Sequence, residues 1–171
     1  KPLKLWYNTT MINFKTYLSE ASNKGLTIFD IDDTMFKTKA RVKVMPSGKV
    51  LTPKQFNTYK LGKGEEFDFG EFKSAELFKQ TAVPIGKMIN KFNAILKNAV
   101  RSGSKVIIVT ARADMDDKKL FLDTFRSHGI DIDKAHIIRA GNLGMKSSAA
   151  AKAQVFKQFL DTNEYSRIRL F

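Results

Sequence analysis

The 171-residue chain contains no cysteine and only two histidines, His128 and His136. Disulfides, thiolate zinc sites and a cysteine nucleophile are excluded, and a histidine-rich metal centre is not expected. Neither ring is assigned a chemical role, and His128 is placed near a helix C-terminus. No run approaches the ~20 apolar residues of a membrane-spanning helix, and no basic stretch followed by an apolar run resembles a secretory signal, so no membrane partner is expected. There is no internal repeat and no low-complexity tract. What remains is a chain with 43% hydrophobic residues, enough for one sizeable core with decorations but short for two ordinary domains.

Acidic residues are in deficit. Thirty Lys and Arg face seventeen Asp and Glu, a formal net charge of +13. Such a balance favours polyanionic neighbours, phosphorylated substrates or DNA. The basic residues are scattered rather than gathered in one arm, so a solvated basic surface stands beside a nucleic-acid face as a reading of the same charge.

From residue 25 onward strands and helices alternate. GLTIFD (25–30), KVIIVT (105–110), AHIIR (135–139) and RIRLF (167–171) are short runs rich in β formers. Between them lie three helical patterns. The first begins near Pro84, carries Met88, Phe92, Ile95, Leu96 and Ala99 on one stripe, and stops at Gly103. The second runs through Leu120, Phe121 and Phe125 to Gly129, and the third from Ser148 to about Leu160. Apolar strands with helical crossovers predict an α/β fold with a doubly wound parallel sheet covered on both faces. Residues 36–82 break the rhythm. Alternating runs around Pro46, Ser47 and Gly48 predict a β-hairpin inside an insertion that follows the first strand, where open α/β sheets place their ligand crevice. Arg41 and Lys43 alternate with apolar positions there and predict a basic hairpin face.

The first strand delivers Asp30, Asp32, Asp33 and Thr34 to one place. Three carboxylates within four positions repel one another unless a cation sits among them, and oxygen-only ligands favour magnesium, with Asp30 and Asp32 as its candidate ligands. An acidic turn that caps a helix is the plainer reading of the same residues.

FDIDDTMF resembles the first motif of haloacid dehalogenase superfamily phosphatases, and VIIVTAR, ending in Thr110, resembles the second. The third motif, a lysine ahead of the last core strand, has two candidates, Lys146 and Lys152. Lys152 is preferred because AKAQVFKQFL resembles the corresponding stretch of phage polynucleotide kinase 3'-phosphatase domains. A fourth motif, an acidic pair after a strand such as RIRLF, is not among these residues, so the reading is of a domain cut before it. The resemblance covers residues 25–171 and implies a Rossmann-like core with a cap insertion at about 36–82. It implies a phosphomonoesterase that forms an aspartyl-phosphate, acting on nucleotides or nucleic-acid ends. Asp30 would be the nucleophile, Asp32 the general acid and base, Thr110 a phosphoryl ligand and Lys152 the charge partner. Thr34, Arg112 and Lys146 are taken as substrate-binding, and magnesium as the cofactor. Asp33 stands where many relatives carry Gly and is expected to cap a helix or support the site indirectly.

Residues 1–24 read as an extension with an amphipathic helix carrying Met11, Phe14, Tyr17, Leu18 and Ala21 on one stripe. FKTYLSEA within it resembles the capsid-targeting leaders of internal proteins of T-even-type phages, which implies cleavage after Glu20. Location in an infected bacterial host, or packaging in a capsid, follows from that likeness. The alternative to an enzyme is a basic phage internal protein that binds DNA and keeps the fold without turnover. A phosphorelay receiver domain is disfavoured, because Ile108 and Val109 offer no acceptor on the second strand.

Overall fold

The computed structural model describes residues 24–145 and 147–171. The stripe predicted at 11–21, the leader site at Glu20 and the candidate Lys146 lie outside the described residues. Along the chain run β1 (Gly25–Phe29), β2 (Phe36–Lys37), β3 (Val42–Met45), β4 (Lys49–Leu51), α1 (Pro53–Thr58), β5 (Glu66–Asp68) and α2 (Ala75–Thr81). There follow β6 (Val83–Pro84), α3 (Gly86–Ser102), β7 (Lys105–Thr110), α4 (Lys118–Ser127), β8 (His136–Arg139), α5 (Ser148–Asp161) and β9 (Arg167–Leu170).

Four strands form the parallel sheet, in the order β8-β7-β1-β9. Residues buried on both faces explain why these segments are apolar runs and not alternating patterns. On one face Phe29, Ile31, Val106 and Ile108 pack with Ile89, Phe92, Leu96 and Ala99 of α3 and with Phe121 and Phe125 of α4. On the other, Leu26, Ile28, Ile107 and Val109 meet Ala151 and Val155 of α5. The sheet is thus doubly wound, as the alternation of elements predicts, and compatible with a Rossmann-like core. From β1 the chain adds strands outward through β7 to β8, then crosses back to place β9 on the other side of β1. That reversal opens a crevice at the carboxyl ends of β1 and β9. Phe171 continues β9 beside β1: its N–H donates to the Ile28 carbonyl (2.9 Å), and its ring stacks on Phe29 with centroids 4.8 Å apart.

The helices carry local start and stop signals, and the stop expected at Gly103 is among them. Asp117 and Ser147 accept from Leu120 N–H (2.9 Å) and Ala150 N–H (3.3 Å) as N-caps of α4 and α5. Gly103 ends α3 in the left-handed region at φ +69°, which favours glycine. Pro84 differs from expectation: it belongs to β6, not to the first turn of α3, and pairs with Phe36 of β2. A two-residue edge strand tolerates proline because one ladder donor there is dispensable.

The insertion after β1 contains two small sheets. The predicted hairpin is β3 with β4, and β5 adds to its other side in the order β4-β3-β5. Val42, Val44 and Leu51 turn inward from it. The chain leaves the core through β2 and returns through β6, which pair with each other antiparallel. No helix among the described residues is long and apolar enough to cross a membrane.

Phe29 is fully buried on the central strand and touches both Phe171 and Phe92, the latter edge-on with centroids 5.1 Å apart. Phe29→Ala is expected to cost about 3–5 kcal/mol of unfolding free energy in a urea titration, and Phe29→Leu clearly less.

Candidate active site

Asp30 is the first residue past β1, and side-chain alternation sends it to the face that Ile28 shares with α5. On that helix Ala151 and Val155 face the sheet, and Lys152, one position on, reaches the crevice. Its ammonium donates to Asp30 Oδ2, while Oδ1 accepts the Ile31 N–H (2.8 Å). The two side chains keep about a fifth to a quarter of their surface exposed (21% and 28%), so the pair is sheltered but open to a ligand.

Asp32 is held differently. Its Oδ2 accepts Arg112 Nε–H (3.0 Å) and its Oδ1 accepts both Arg112 Nη2–H (2.7 Å) and the Thr38 hydroxyl (2.7 Å). The remaining guanidinium edge donates to the Phe72 carbonyl (3.0 Å). Only 1% of the Arg112 side chain is exposed, and its guanidinium carbon lies 5.1 and 5.0 Å from the Phe72 and Phe78 ring centroids. A cation this deeply desolvated needs such a bidentate carboxylate and further acceptors. Arg112, expected at a phosphorylated substrate, is here turned to Asp32, Thr38 and Phe72, and it is not an exposed loop residue.

Thr110 closes β7 and is fully buried. Its Oγ1 accepts the Arg112 N–H (3.2 Å), which leaves the hydroxyl proton for another acceptor. Thr34 is half-buried in the turn after β1, where its N–H reaches back to the Ile31 carbonyl (3.4 Å). Asp33 caps no helix, since the chain turns directly into β2. It adopts φ +59° and donates its N–H to the Phe36 carbonyl (2.8 Å). A left-handed residue in this turn accounts for glycine in proteins with the similar motif, and aspartate is among the few side chains that tolerate it.

The mutual repulsion expected of three neighbouring carboxylates is relieved by the protein's own cations. Lys152 takes Asp30, Arg112 takes Asp32, and Asp33 stays exposed. Among the described residues no group of three or more His, Asp or Glu gathers to hold a metal. Two hard oxygen donors stand two residues apart where the chain leaves β1, the Asp30 carboxylate and the Asp32 carbonyl, and the latter accepts no hydrogen bond among the described residues. Their chemistry suits magnesium, whereas the Asp32 carboxylate is committed to Arg112.

Several supporting residues carry no sequence signal of their own. Thr38 and Phe72 complete the Arg112 shell from the insertion. Gly141, just after β8, lies so close to the 111–113 backbone that a Cβ would fall 2.3 Å from the Ala111 carbonyl oxygen. Asn142 Oδ1 accepts the Asp114 N–H (2.9 Å), and Arg139 pairs with Asp114 (3.2 Å). Asp116 then receives the Ala75 N–H (2.8 Å), tying the same loop to the start of α2. A glycine directly after a strand is the one hint available, since it often marks close backbone approach.

No protein family, curated protein or solved structure matches the chain.

Gly141→Ala must displace backbone and is expected to lose about 1–3 kcal/mol of stability, as for overpacked cores. Gly86→Ala, where a Cβ meets nothing within 4 Å, is the control and should be neutral or slightly stabilising in the same thermal melts.

Proposed function

We propose that this chain is a magnesium-dependent phosphomonoesterase of the haloacid dehalogenase kind, with Asp30 as nucleophile and residues 36–82 as its cap. One observation carries the reading: a partly exposed carboxylate at the crevice end of the central strand, paired with an ammonium from the crossover helix ahead of β9. The motif order along the chain supports it as well.

An Asp30 carboxylate oxygen forms a bond to phosphorus as the bond to the leaving oxygen breaks, giving an acyl phosphate on Asp30. Water then attacks the same phosphorus, and phosphate leaves with the Asp30 carboxylate restored. Lys152 offsets the charge that nucleophile and phosphoryl group share, and it holds Asp30 in place before substrate arrives. The Thr110 hydroxyl proton is directed to a phosphoryl oxygen. The Asp30 carboxylate and the Asp32 carbonyl are the donors that would hold magnesium, whose contribution when bound is to polarise the phosphoryl group.

Asp32 protonates the departing oxygen and later takes a proton from water. Both of its oxygens face Arg112 in this structure, so the role requires one of them to turn away from the guanidinium towards substrate. Thr38, on the stem of the insertion, shares Oδ1 with Arg112 and would release it when the stem moves.

Asp30→Asn is expected to abolish magnesium-dependent hydrolysis of para-nitrophenyl phosphate, and quenching the unaltered protein should trap a phosphorylated Asp30 peptide. Turnover that survives the substitution removes Asp30 from the nucleophile role. Asp32→Asn should lower kcat/KM for an alkyl phosphate about 10²–10⁴-fold and for the nitrophenyl ester much less, because nitrophenolate leaves without a proton. Equal losses on both esters would take proton transfer away from Asp32.

A further inference from the structure

The insertion carries five aromatic rings that its folding buries only in part. Phe56, Tyr59, Phe67 and Phe72 are half-buried, and Phe69 is 43% exposed. They form one connected series. Phe72 lies 6.3 Å from Phe69 by centroids, Phe69 is 6.1 Å from Phe67 and 5.8 Å from Phe56, and Phe67 is 6.1 Å from Tyr59. One end of the series is the ring beneath Arg112, whose guanidinium holds Asp32. At the other end is an open depression of about 440 Å³ lined by Lys49, Leu51, Gln55, Thr58, Tyr59 and Lys60. The rings pack edge to face on one another as a small core of the insertion, and the part left open, centred on Phe69, is apolar surface of the kind that marks a binding face.

The charges along the row say what kind of ligand fits. Among the described residues Lys49, Lys60, Lys63 and Lys73 form no ion pair, and Lys49 sits over the Tyr59 ring at 4.8 Å. Of the nearby carboxylates only Glu71 meets a cation among the described residues, while Glu65 and Asp68 accept neutral donors and Glu66 is exposed. The open charge on the ring side is thus mixed, and the unpaired lysines gather at the Tyr59 end. Glu65 accepts from the Tyr59 hydroxyl and the Gly62 N–H, Asp68 from the Gly70 N–H, and Glu71 pairs with Lys43 and accepts the Arg41 N–H. The basic hairpin face expected at Arg41 and Lys43 is partly neutralised by Glu71, and Lys49 and Lys60 lie beside the Tyr59 ring instead. Rings for stacking with lysines alongside are what a single-stranded nucleic acid needs, whereas a duplex hides its base faces.

We propose that this aromatic row is a binding track for single-stranded nucleic acid, with bases stacked on Phe69, Phe67 and Tyr59 and phosphates met by Lys49 and Lys60. The track leads away from Asp32, so a strand lying on it has one end near the crevice. The binding does not depend on Asp30 acting as nucleophile, and it is tested without turnover.

Fluorescence anisotropy of an oligothymidylate of about 12 nucleotides, titrated with the whole chain in the absence of magnesium, reads the binding directly. Affinity is expected to fall with salt at a log–log slope of about 0.7 per phosphate contacted. Phe69→Leu and Tyr59→Leu should each weaken binding at least about fivefold, while Phe69→Tyr and Tyr59→Phe retain it, since any ring provides a stacking face. Lys49→Glu with Lys60→Glu should weaken binding and flatten the salt slope. Circular dichroism of each variant separates lost binding from lost fold, and the lysine pair keeps the test decisive if a leucine variant unfolds. Duplex of the same length binding as tightly as single strand would overturn the proposal. So would leucine variants that bind within twofold of the unaltered chain. Absence of binding at low salt would overturn it too and assign the rings to a protein partner. Oligonucleotide binding that persists where ester hydrolysis is absent would leave the track standing and count against the phosphatase alone.

Discussion

A guanidinium removed from water must be matched donor for donor, and Arg112 is matched by three separate parts of the chain. Asp32 comes from the turn after β1, Thr38 and the Phe72 carbonyl come from the insertion, and the arginine itself follows β7. Removing Asp32 would leave a charge stranded among Phe72 and Phe78, where solvent cannot compensate it. The insertion's position over the crevice follows from this knot. Gly141, Asn142 and Arg139 hold the arginine's own loop from the β8 side, and Asp116 fastens that loop to α2. The result is a crevice rim whose pieces are far apart in sequence yet locked together by polar bonds of fixed geometry.

Against that rigid rim, the Asp30 and Lys152 pair is a lighter arrangement. Neither side chain is fully buried, and Asp30 has one further donor, the Ile31 N–H. A ligand that brings its own negative charge can share the ammonium without stranding the carboxylate, because part of each group already faces water. The two aspartates of the DxD pattern are thus unequal in the unliganded protein: one is accessible and loosely paired, the other is clamped. Local sequence makes them look equivalent, and tertiary contacts make them different.

The core was legible because its strands are buried on both faces and its helices carry caps that act locally. KVIIVT corresponds residue for residue to β7, and Gly103, Gly129 and Ser148 stand at or next to helix ends. Pro84 misled because a proline that suits a helix start also suits an edge strand, and the choice depended on Phe36, 48 positions earlier by the numbering of the pair. Arg112 was illegible for the same kind of reason: its partners Asp32, Thr38 and Phe72 lie 80, 74 and 40 residues away. Asp33 was half-legible, since its place in the motif pointed to a special position and the positive φ supplies the physical cause.

Glu71 closes a stem. Its carboxylate accepts the Arg41 N–H and meets the Lys43 ammonium, so the chain's departure into the β4-β3-β5 sheet and its return are held side by side. Everything from residue 42 to 70 hangs from that closure, outside the main sheet. In polymer terms the core experiences this segment as a loop whose ends are already joined, and halving its length would alter the closure term by only about 0.6 kcal/mol. The stem therefore behaves as a socket. Modules of different size and surface can be exchanged there over evolutionary time with little strain on β1, so the surface that meets a ligand's body can diversify while the residues around Asp30 keep their geometry.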